Sequence, residues 1–360
     1  DPQLCEQMKE IGTPVDSWQV FVGSRRVGFN ESGVTYGTSR TRVNQLLAEA
    51  TKKVPLIRTY YGYKLLDIDF DLKSLTFTVD GEVTNTVSVD ASKARIIATD
   101  GVNSATRRAL EAHDPSFHAV STPWTYEFRV LFGKPGETTD KLDPKVHYIC
   151  NGQYMATVDC EGVPQWTCVT CVRDRDTPLK RSILFATNAS SANIAGIRTM
   201  LKDLAPLFYP LIPENDAGDS ELQRYFGRRT FRGSVVRTNR LHYQEWVVLL
   251  GDSAHSVLPP TGEGLNSGLE DVMVLVNDCI CKNLDNVFNT YNEKRMKDIS
   301  ALLDYATYLN EDPRFAGERM ARLFFLIAES FVNPSITDYL FGSLAAQRKP
   351  YSEFIGTWNR

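Results

Sequence analysis

The run GDSAHSVLPPTGEGLNSGLED, from Gly251 to Asp271, lies between two different apolar patterns. Before it, Trp246-Val247-Val248-Leu249-Leu250 is a continuous apolar block, the signature of a buried parallel strand. After it, Leu265, Leu269, Val272, Val276, Cys279 and Ile280 recur at helical spacing. Strand, acidic turn, glycine-rich loop and helix start therefore follow in order. Such a junction aims free backbone N–H groups, and roughly half a unit of positive charge, at whatever lies before it. The ligand it suits has an electron-rich edge.

A second loop has the same grammar. Arg95-Ile96-Ile97-Ala98 reads as a short buried strand and runs into ATDGVNSATRR, with Asp100, Gly101, Ser104 and Arg107. An aspartate at a strand's carboxyl end accepts hydrogen bonds from sugar or ribityl hydroxyls, and the glycine beside it lets a bulky ligand approach the backbone. Asp-Gly alone is usually only a turn, as at Asp80-Gly81. Here a strand precedes the pair and a helix follows it.

Composition removes several classes. The chain of 360 residues has 42% hydrophobic and 23% charged residues, enough for one large or two ordinary domains with real cores. A net charge of −4 gives no electrostatic case for nucleic acid. Seven irregularly spaced cysteines do not make a disulfide framework, which favours a reducing compartment. No apolar run reaches the roughly 18 residues of a membrane span. Asp1-Pro2-Gln3 is unlike a signal peptide and begins as if in mid-protein.

Elsewhere the patterns predict a short helix over Leu4–Ile11, strands at 18–22 and 26–29, and a helix around Val43–Ala50 capped by Ser39 or Thr41. Leu56 to Phe70 and Leu75 to Val79 read as extended. Alternation at Tyr126, Phe128, Val130 and Phe132, and at Trp166, Cys168, Thr170 and Val172, predicts an antiparallel layer. One helix, with Ile194, Ile197, Leu201 and Leu204, would cover it, and Phe231 to Arg237 returns to strand. From Asn286 the pattern is helical, broken at Pro313, Pro334 and Pro350.

DGVNSATR and GDSAHSVLPPTGEGLNSGLED resemble the two downstream FAD motifs of the aromatic-ring flavoprotein monooxygenases of the p-hydroxybenzoate hydroxylase fold. Within that family the likeness is strongest to the kynurenine 3-monooxygenases, over nearly the whole chain. Ser39-Arg40 with Asn44 and Leu46-Leu47 matches the flavin-contacting arginine helix, and NPSITDYLFGSLAAQRKPYSEF carries Pro-Ser, Arg and Tyr-x-Glu at matching intervals. The resemblance implies a mixed α/β fold: a parallel FAD sheet built from separated segments, an inserted antiparallel substrate domain and a C-terminal helical layer. The expected boundaries are 1–120 and 241–285 for the two parts of the FAD-binding domain. Residues 121–240 would form the substrate domain and 286–360 the helical region.

The implied chemistry is NADPH reduction of FAD, oxygen addition to give a flavin hydroperoxide, and hydroxylation of an aromatic ring, the substrate being a small aromatic acid. The resemblance places the ribityl chain at Asp252 beside Gly251, the pyrophosphate near Asp100 with Gly101 and Arg107, and phosphate or adenosine at Arg40. Pro259 would wall the isoalloxazine, and the amides of Gly262, Gly264, Leu265 and Asn266 would face its N1 and C2 carbonyl. No catalytic side chain and no metal is implied. The family's location is the mitochondrial outer membrane, with peripheral membrane contact through the C-terminal helices.

Two departures qualify the resemblance. The family opens with a strand, GxGxxG and a helix, and no GxGxxG occurs in this chain. Three arrangements fit: residues precede Asp1 in the native chain, a protein partner supplies the unit, or the protein is a degenerate homologue acting as an accessory subunit. On the substrate side, a carboxylate-binding tyrosine of the family falls at Phe341, and Tyr36 is only a nearby candidate for another substrate contact. Phe341 has no hydroxyl, and a site that loses hydrogen-bond partners for a charged carboxylate discriminates poorly for kynurenine.

Other features have plain readings. Cys168 and Cys171 sit an odd number apart on a strand, which puts the thiols on opposite faces and favours packing over redox or zinc chemistry. His255 is not assigned as a base. Arg228, Arg229, Arg232, Arg237 and Arg240 read as a solvated face, with steering of NADPH phosphates as the alternative. Arg322–Phe331 reads as core or a partner-facing helix.

Overall fold

A computed structural model describes residues 2–174, 176–212, 216–259, 262–310 and 350–355. In chain order, α1 (Pro2–Glu10), β1 (Gly12–Val22), β2 (Arg25–Thr38) and α2 (Arg40–Lys52) lead into β3 (Tyr63–Asp69), β4 (Ser74–Val79) and β5 (Glu82–Asp90). Next come β6 (Ile96–Ala98), α3 (Ala105–His113), β7 (Ala119–Pro123), β8 (Tyr126–Phe132), β9 (Val146–Cys150), β10 (Gln153–Cys160) and β11 (Val163–Arg173). Helices α4 (Pro178–Leu184), α5 (Ser191–Leu204) and α6 (Asp216–Gly227) precede β12 (Ser234–Thr238), β13 (His242–Tyr243) and β14 (Val247–Leu249). The chain continues through α7 (Asp252–His255), α8 (Gly264–Met273), a π-helical segment Val274–Ile280, and α9 (Val287–Asn310); a short helix, Tyr351–Ile355, closes the described residues.

These elements form two compact units. One draws on the chain up to Arg58 and on Thr125–Arg232; the other draws on Thr59–Trp124, on the described residues from Gly233, and on 350–355.

The first unit is a six-stranded sheet, β2-β1-β9-β10-β11-β8. Every pairing is antiparallel except β1 with β9, which run parallel. Val146, Tyr148, Met155, Trp166, Cys168, Val172 and Leu131 point to one face and pack with Leu184, Ile197, Leu201, Leu222 and Tyr225. Three helices therefore cover this face, not the single one expected, because Leu222 and Tyr225 of α6 and Leu184 of α4 share the core with α5. Residues 12–38, grouped from sequence with the first FAD-binding segment, contribute two strands to this sheet. Cys168 and Cys171 do alternate in direction, their cross-strand partners being Leu131 and Phe128, and both are buried.

The second unit holds the parallel pair. β14 runs beside β6 with Val247, Val248 and Leu249 opposite Ile96, Ile97 and Ala98, and β13 is added antiparallel. All three residues of β14 are buried, as the unbroken apolar run predicts. β3-β4-β5 form a meander, and β7 pairs with β12. Tyr63 begins β3, so Leu56 lies outside the strand and is exposed; the expected strand from Phe231 starts instead at Ser234, with Phe231 making only an isolated bridge to Phe128.

The run with Leu265, Leu269, Val272 and Val276 is helical, as its spacing predicts, but this stripe is not its buried face. These side chains are 40–52% exposed. The buried positions of the same helical run are Ser267, Asp271, Leu275 and Cys279, four apart throughout. A buried arginine beneath that row, Arg295, selects the polar face, as described below. At its C-terminal half the run becomes π-helical, with Cys281 N–H donating to Val276 O at 2.9 Å, a ring one residue wider than an α-helix.

Candidate functional site

The loops after β6 and β14 emerge side by side because their strands are paired in parallel; Leu250 N–H continues the ladder to Ala98 O at 3.0 Å. The carboxyl ends of adjacent parallel strands are where open α/β sheets bind ligands. Ser253, fully buried, donates from its hydroxyl to Ala98 O (2.9 Å) and Leu250 O (2.8 Å) and so seals the two strand ends together.

On the first loop, Asp100 accepts from Thr106 N–H (3.0 Å) and Thr106 Oγ1 (3.1 Å), while Ser104 caps α3 by accepting from Arg107 N–H at 2.9 Å. The Arg107 guanidinium is buried and donates to Val102 O and Ser253 O, each at 2.6 Å. It thus ties both loops together through their backbones. Burial pushes this guanidinium below its ordinary value, opposed by Asp100.

On the second loop, Gly251 has φ 58°, a left-handed value that favours glycine, and begins α7. An added Cβ there would lie 3.7 Å from Gly268 Cα, so two glycines allow the turn and α8 to touch. Asp252 is exposed at the start of α7, and Pro259 is exposed on the segment after it. Glu263 is the N-cap of α8 but makes no side-chain capping bond. The amides of Gly264, Leu265 and Asn266 have no intrahelical acceptor, as in any first turn.

Beneath these loops lies a buried polar network that sequence reading missed. Gly251 N–H donates to Asp271 Oδ2 at 2.7 Å, and His255 Nε2 lies 2.6 Å from the same oxygen. Arg295 Nε donates to Asp271 Oδ1 at 2.9 Å, and its Nη1 lies 3.2 Å from Glu270 and 3.7 Å from Asp298. Burial pushes Asp271 up, but the His255 and Arg295 side chains and the Gly251 amide outweigh it and hold the carboxyl below its usual range. Asp271 closes the quoted motif; the signal that would have revealed its partner is a lone arginine inside the apolar pattern of α9.

Fit to a flavin can be judged on the backbone. Gly101 (φ 77°) and Gly262 (φ 68°) adopt left-handed conformations, and a Cβ at either would meet nothing within 4 Å. Open space therefore faces both loops where a flat ligand would approach, and Asp252, Pro259 and Leu265 are exposed around it. Arg40 is exposed at the start of α2, and Tyr36 is exposed on β2, both in the first unit. Phe341 lies outside the described residues, as do Arg322–Phe331. Ser39 caps α2 by position but without a side-chain bond.

A cavity of about 360 Å³ opens at the opposite, amino-terminal ends of the same strands, near Lys73, Lys93, Arg95, Glu245 and Trp246. Its polar groups hold the start of α9 and the turn before it: Arg95 donates to Leu284 O in that turn, and Glu245 accepts from the Phe288 and Asn289 amides of α9. Of the arginines read as a solvated face, Arg228 is paired with Glu221, Arg232 with Asp174, Arg237 with Asp304 and Arg240 with Asp114.

Residues 210–306 match a family described as FAD binding domain. The kynurenine 3-monooxygenase of Dictyostelium discoideum is 27% identical over 348 residues, covering 90% of this chain and 70% of its own length. That of Drosophila willistoni is 24% identical over 326 residues, covering 89% of this chain and 67% of its own. The chain is thus similar over most of its length to kynurenine 3-monooxygenases. Its fold is similar to that of p-nitrophenol 4-monooxygenase from Pseudomonas putida, with a TM-score of 0.64 at 13% identity over 96% of this chain and 83% of that one. These likenesses indicate FAD as the cofactor and an oxidoreductase as the class. Among the described residues no helix is long and apolar enough to cross a membrane.

Proposed function

We propose that this monooxygenase homologue uses FAD, reduced by NADPH, to hydroxylate a small aromatic acid, as kynurenine 3-monooxygenases do with kynurenine. One observation carries the reading: the Gly101 and Gly251 loops lie side by side at the carboxyl ends of β6 and β14, each with a left-handed glycine. FAD, when bound, supplies the hydride-accepting and oxygen-activating chemistry. The chain's own groups would bind and orient it. Asp252, exposed at the start of α7, would meet ribityl hydroxyls, and Asp100, which accepts from the Thr106 amide in the first turn of α3, would lie on the pyrophosphate side. Pro259 would wall one side of the ring. The free amides of Gly264, Leu265 and Asn266 would stabilise negative charge at the flavin's N1 and C2 edge without reorganising. Arg40 would meet phosphate or adenosine.

By the same resemblance the protein would act at the mitochondrial outer membrane. The deciding experiment is a spectrum of the native protein with an assay of NADPH oxidation. Released FAD, and oxidation stimulated by an aromatic acid with hydroxylated product, are expected. A colourless full-length protein that consumes no NADPH would favour an accessory homologue instead. Asp252→Ala should cost most of the flavin occupancy; full occupancy would move the ribityl chain elsewhere.

A further inference from the structure

Three turns meet around the cavity of about 360 Å³ at the amino-terminal ends of β6 and β14. The turn between β3 and β4 brings Lys73, that between β5 and β6 brings Lys93 and Arg95, and that between β13 and β14 brings Gln244 and Glu245. The turns are bonded to one another. Ala91 N–H donates to Lys73 O at 2.9 Å, and the Trp246 indole donates to Ala91 O at 3.0 Å. Lys73 (φ 52°) and Gln244 (φ 50°) take left-handed backbone values, at which glycine or asparagine is less strained. Both positions nonetheless carry a long polar side chain, and both line the cavity.

The charges here do not balance. Among the described residues of the lining, Glu245 is the one carboxylate, and it is engaged by the Phe288 and Asn289 amides at 3.0 Å and by Arg95 at 3.8 Å. Asp90, three residues before Lys93, accepts from the Ser92 amide at 2.8 Å. Arg95 spends Nη2 on Leu284 O at 2.7 Å and lies over the Phe288 ring, which fixes the guanidinium and leaves its Nε and Nη1 edge for another acceptor. The Lys73 ammonium lies 5.9 Å from the centre of the Trp246 ring. Neither Lys73 nor Lys93 has a carboxylate partner among the described residues. Like charges gathered round a concavity focus a positive potential inside it.

We propose that this cavity is a binding site for a small soluble phosphate monoester, whose dianion is met by Lys73, Lys93 and Arg95. A guanidinium held by one nitrogen can still offer two parallel N–H groups to phosphate oxygens, and the ammoniums add unpaired charge from two other directions. The Gln244 amide serves hydroxyls on the ester's alcohol part. The volume is at the small end of ligand sites, and a recess suits a soluble ester better than a flat lipid surface. The site lies at the far end of the strands from the Gly101 and Gly251 loops and does not rest on the flavin reading.

The test titrates the full-length chain calorimetrically with glycerol 3-phosphate, with excess FAD present so that any flavin phosphate site is filled. Saturable binding is expected, weakening as salt is raised. Lys73→Gln/Lys93→Gln should weaken it about tenfold or more. Lys141→Gln/Lys145→Gln makes the same charge change on exposed lysines of the first unit and should leave the affinity within about twofold. On binding, amide exchange should slow in the peptides that hold Lys73, Ser92–Arg95 and Gln244–Trp246. No saturable binding, an equal loss in both double variants, or protection confined to other peptides overturns the proposal. Sedimentation with phosphatidate vesicles by a chain that ignores glycerol 3-phosphate overturns it too, and would assign the lysines to a lipid surface.

Discussion

The carboxylate of Asp271 and the backbone amide of Gly251 are 2.7 Å apart, twenty positions away in sequence. Asp271 therefore fixes the left-handed turn from below while facing His255 and Arg295. Asp271→Ala removes the buried carboxylate that meets Arg295 Nε and leaves only Glu270 and Asp298 on the Nη1 side, which should cost about 3–5 kcal/mol. Urea denaturation should show it as a lower midpoint at unchanged slope. The native carboxyl is held below its usual range, so this stabilisation is present above the ordinary carboxylate pKa of about 4 and is lost as pH falls through the lowered native value. The variant should lose that part of the acid sensitivity. A midpoint within error of the parent would remove Asp271 from the turn's support.

Arg107 joins the two loops through Val102 O and Ser253 O. Arg107→Gln cannot span both carbonyls and leaves at least one buried acceptor unmet, costing about 1–3 kcal/mol. Because the loss falls at the strand ends, amide exchange should rise around Val102 and Ser253 before the rest of the second unit. FAD affinity should fall in parallel. Weakened FAD with unaltered exchange would instead mean that the guanidinium touches the ligand.

How much of this was legible follows from where each interaction lies in the chain. β6, β14 and their loops could be read because a parallel strand buried on both faces is an unbroken apolar run, and because Asp-Gly and Gly-Asp mark its end. The pairing of 12–38 with Val146–Cys150 could not be read, since nothing local encodes a partner more than a hundred residues away. Which face of α8 is buried could not be read for a related reason. Its apolar stripe has the right period, but Arg295 presents a buried charge to the other face, and Asp271 must meet it. Tyr351 sat in a recognised interval, yet only the fold reveals that its hydroxyl serves Glu263.

His147 carries a pH signature in the first unit. Its ring packs edge-on against Trp18 at 4.6 Å, Nε2 is buried without a hydrogen bond, and burial lowers its pKa from 6.5 to about 4. Between those values the unfolded chain takes up a proton that the native chain refuses. Stability should therefore fall as pH drops from 6.5 towards 4 and level off below, by about 3 kcal/mol at most. His147→Phe keeps the ring and should flatten that limb in denaturant titrations at pH 4.5, 5.5 and 6.5. An unchanged slope would assign the limb to other groups.

The two faces of the Gly264–Ile280 run give a direct comparison within one helix. Leu269 is 46% exposed, whereas Cys279, ten residues on, is 2% exposed. Leu269→Gln should shift stability by no more than about 0.5 kcal/mol, the range of surface substitutions. Cys279→Ser buries a hydroxyl where a thiol packed, and should cost about 1–3 kcal/mol. Periodicity alone assigns both positions to one apolar stripe and predicts that both substitutions destabilise. Two denaturation curves, measured on the full chain under one set of conditions, therefore separate the face that packs from the face that is merely apolar. A large loss at Leu269 would place that stripe against protein and reverse the orientation of α8 described above.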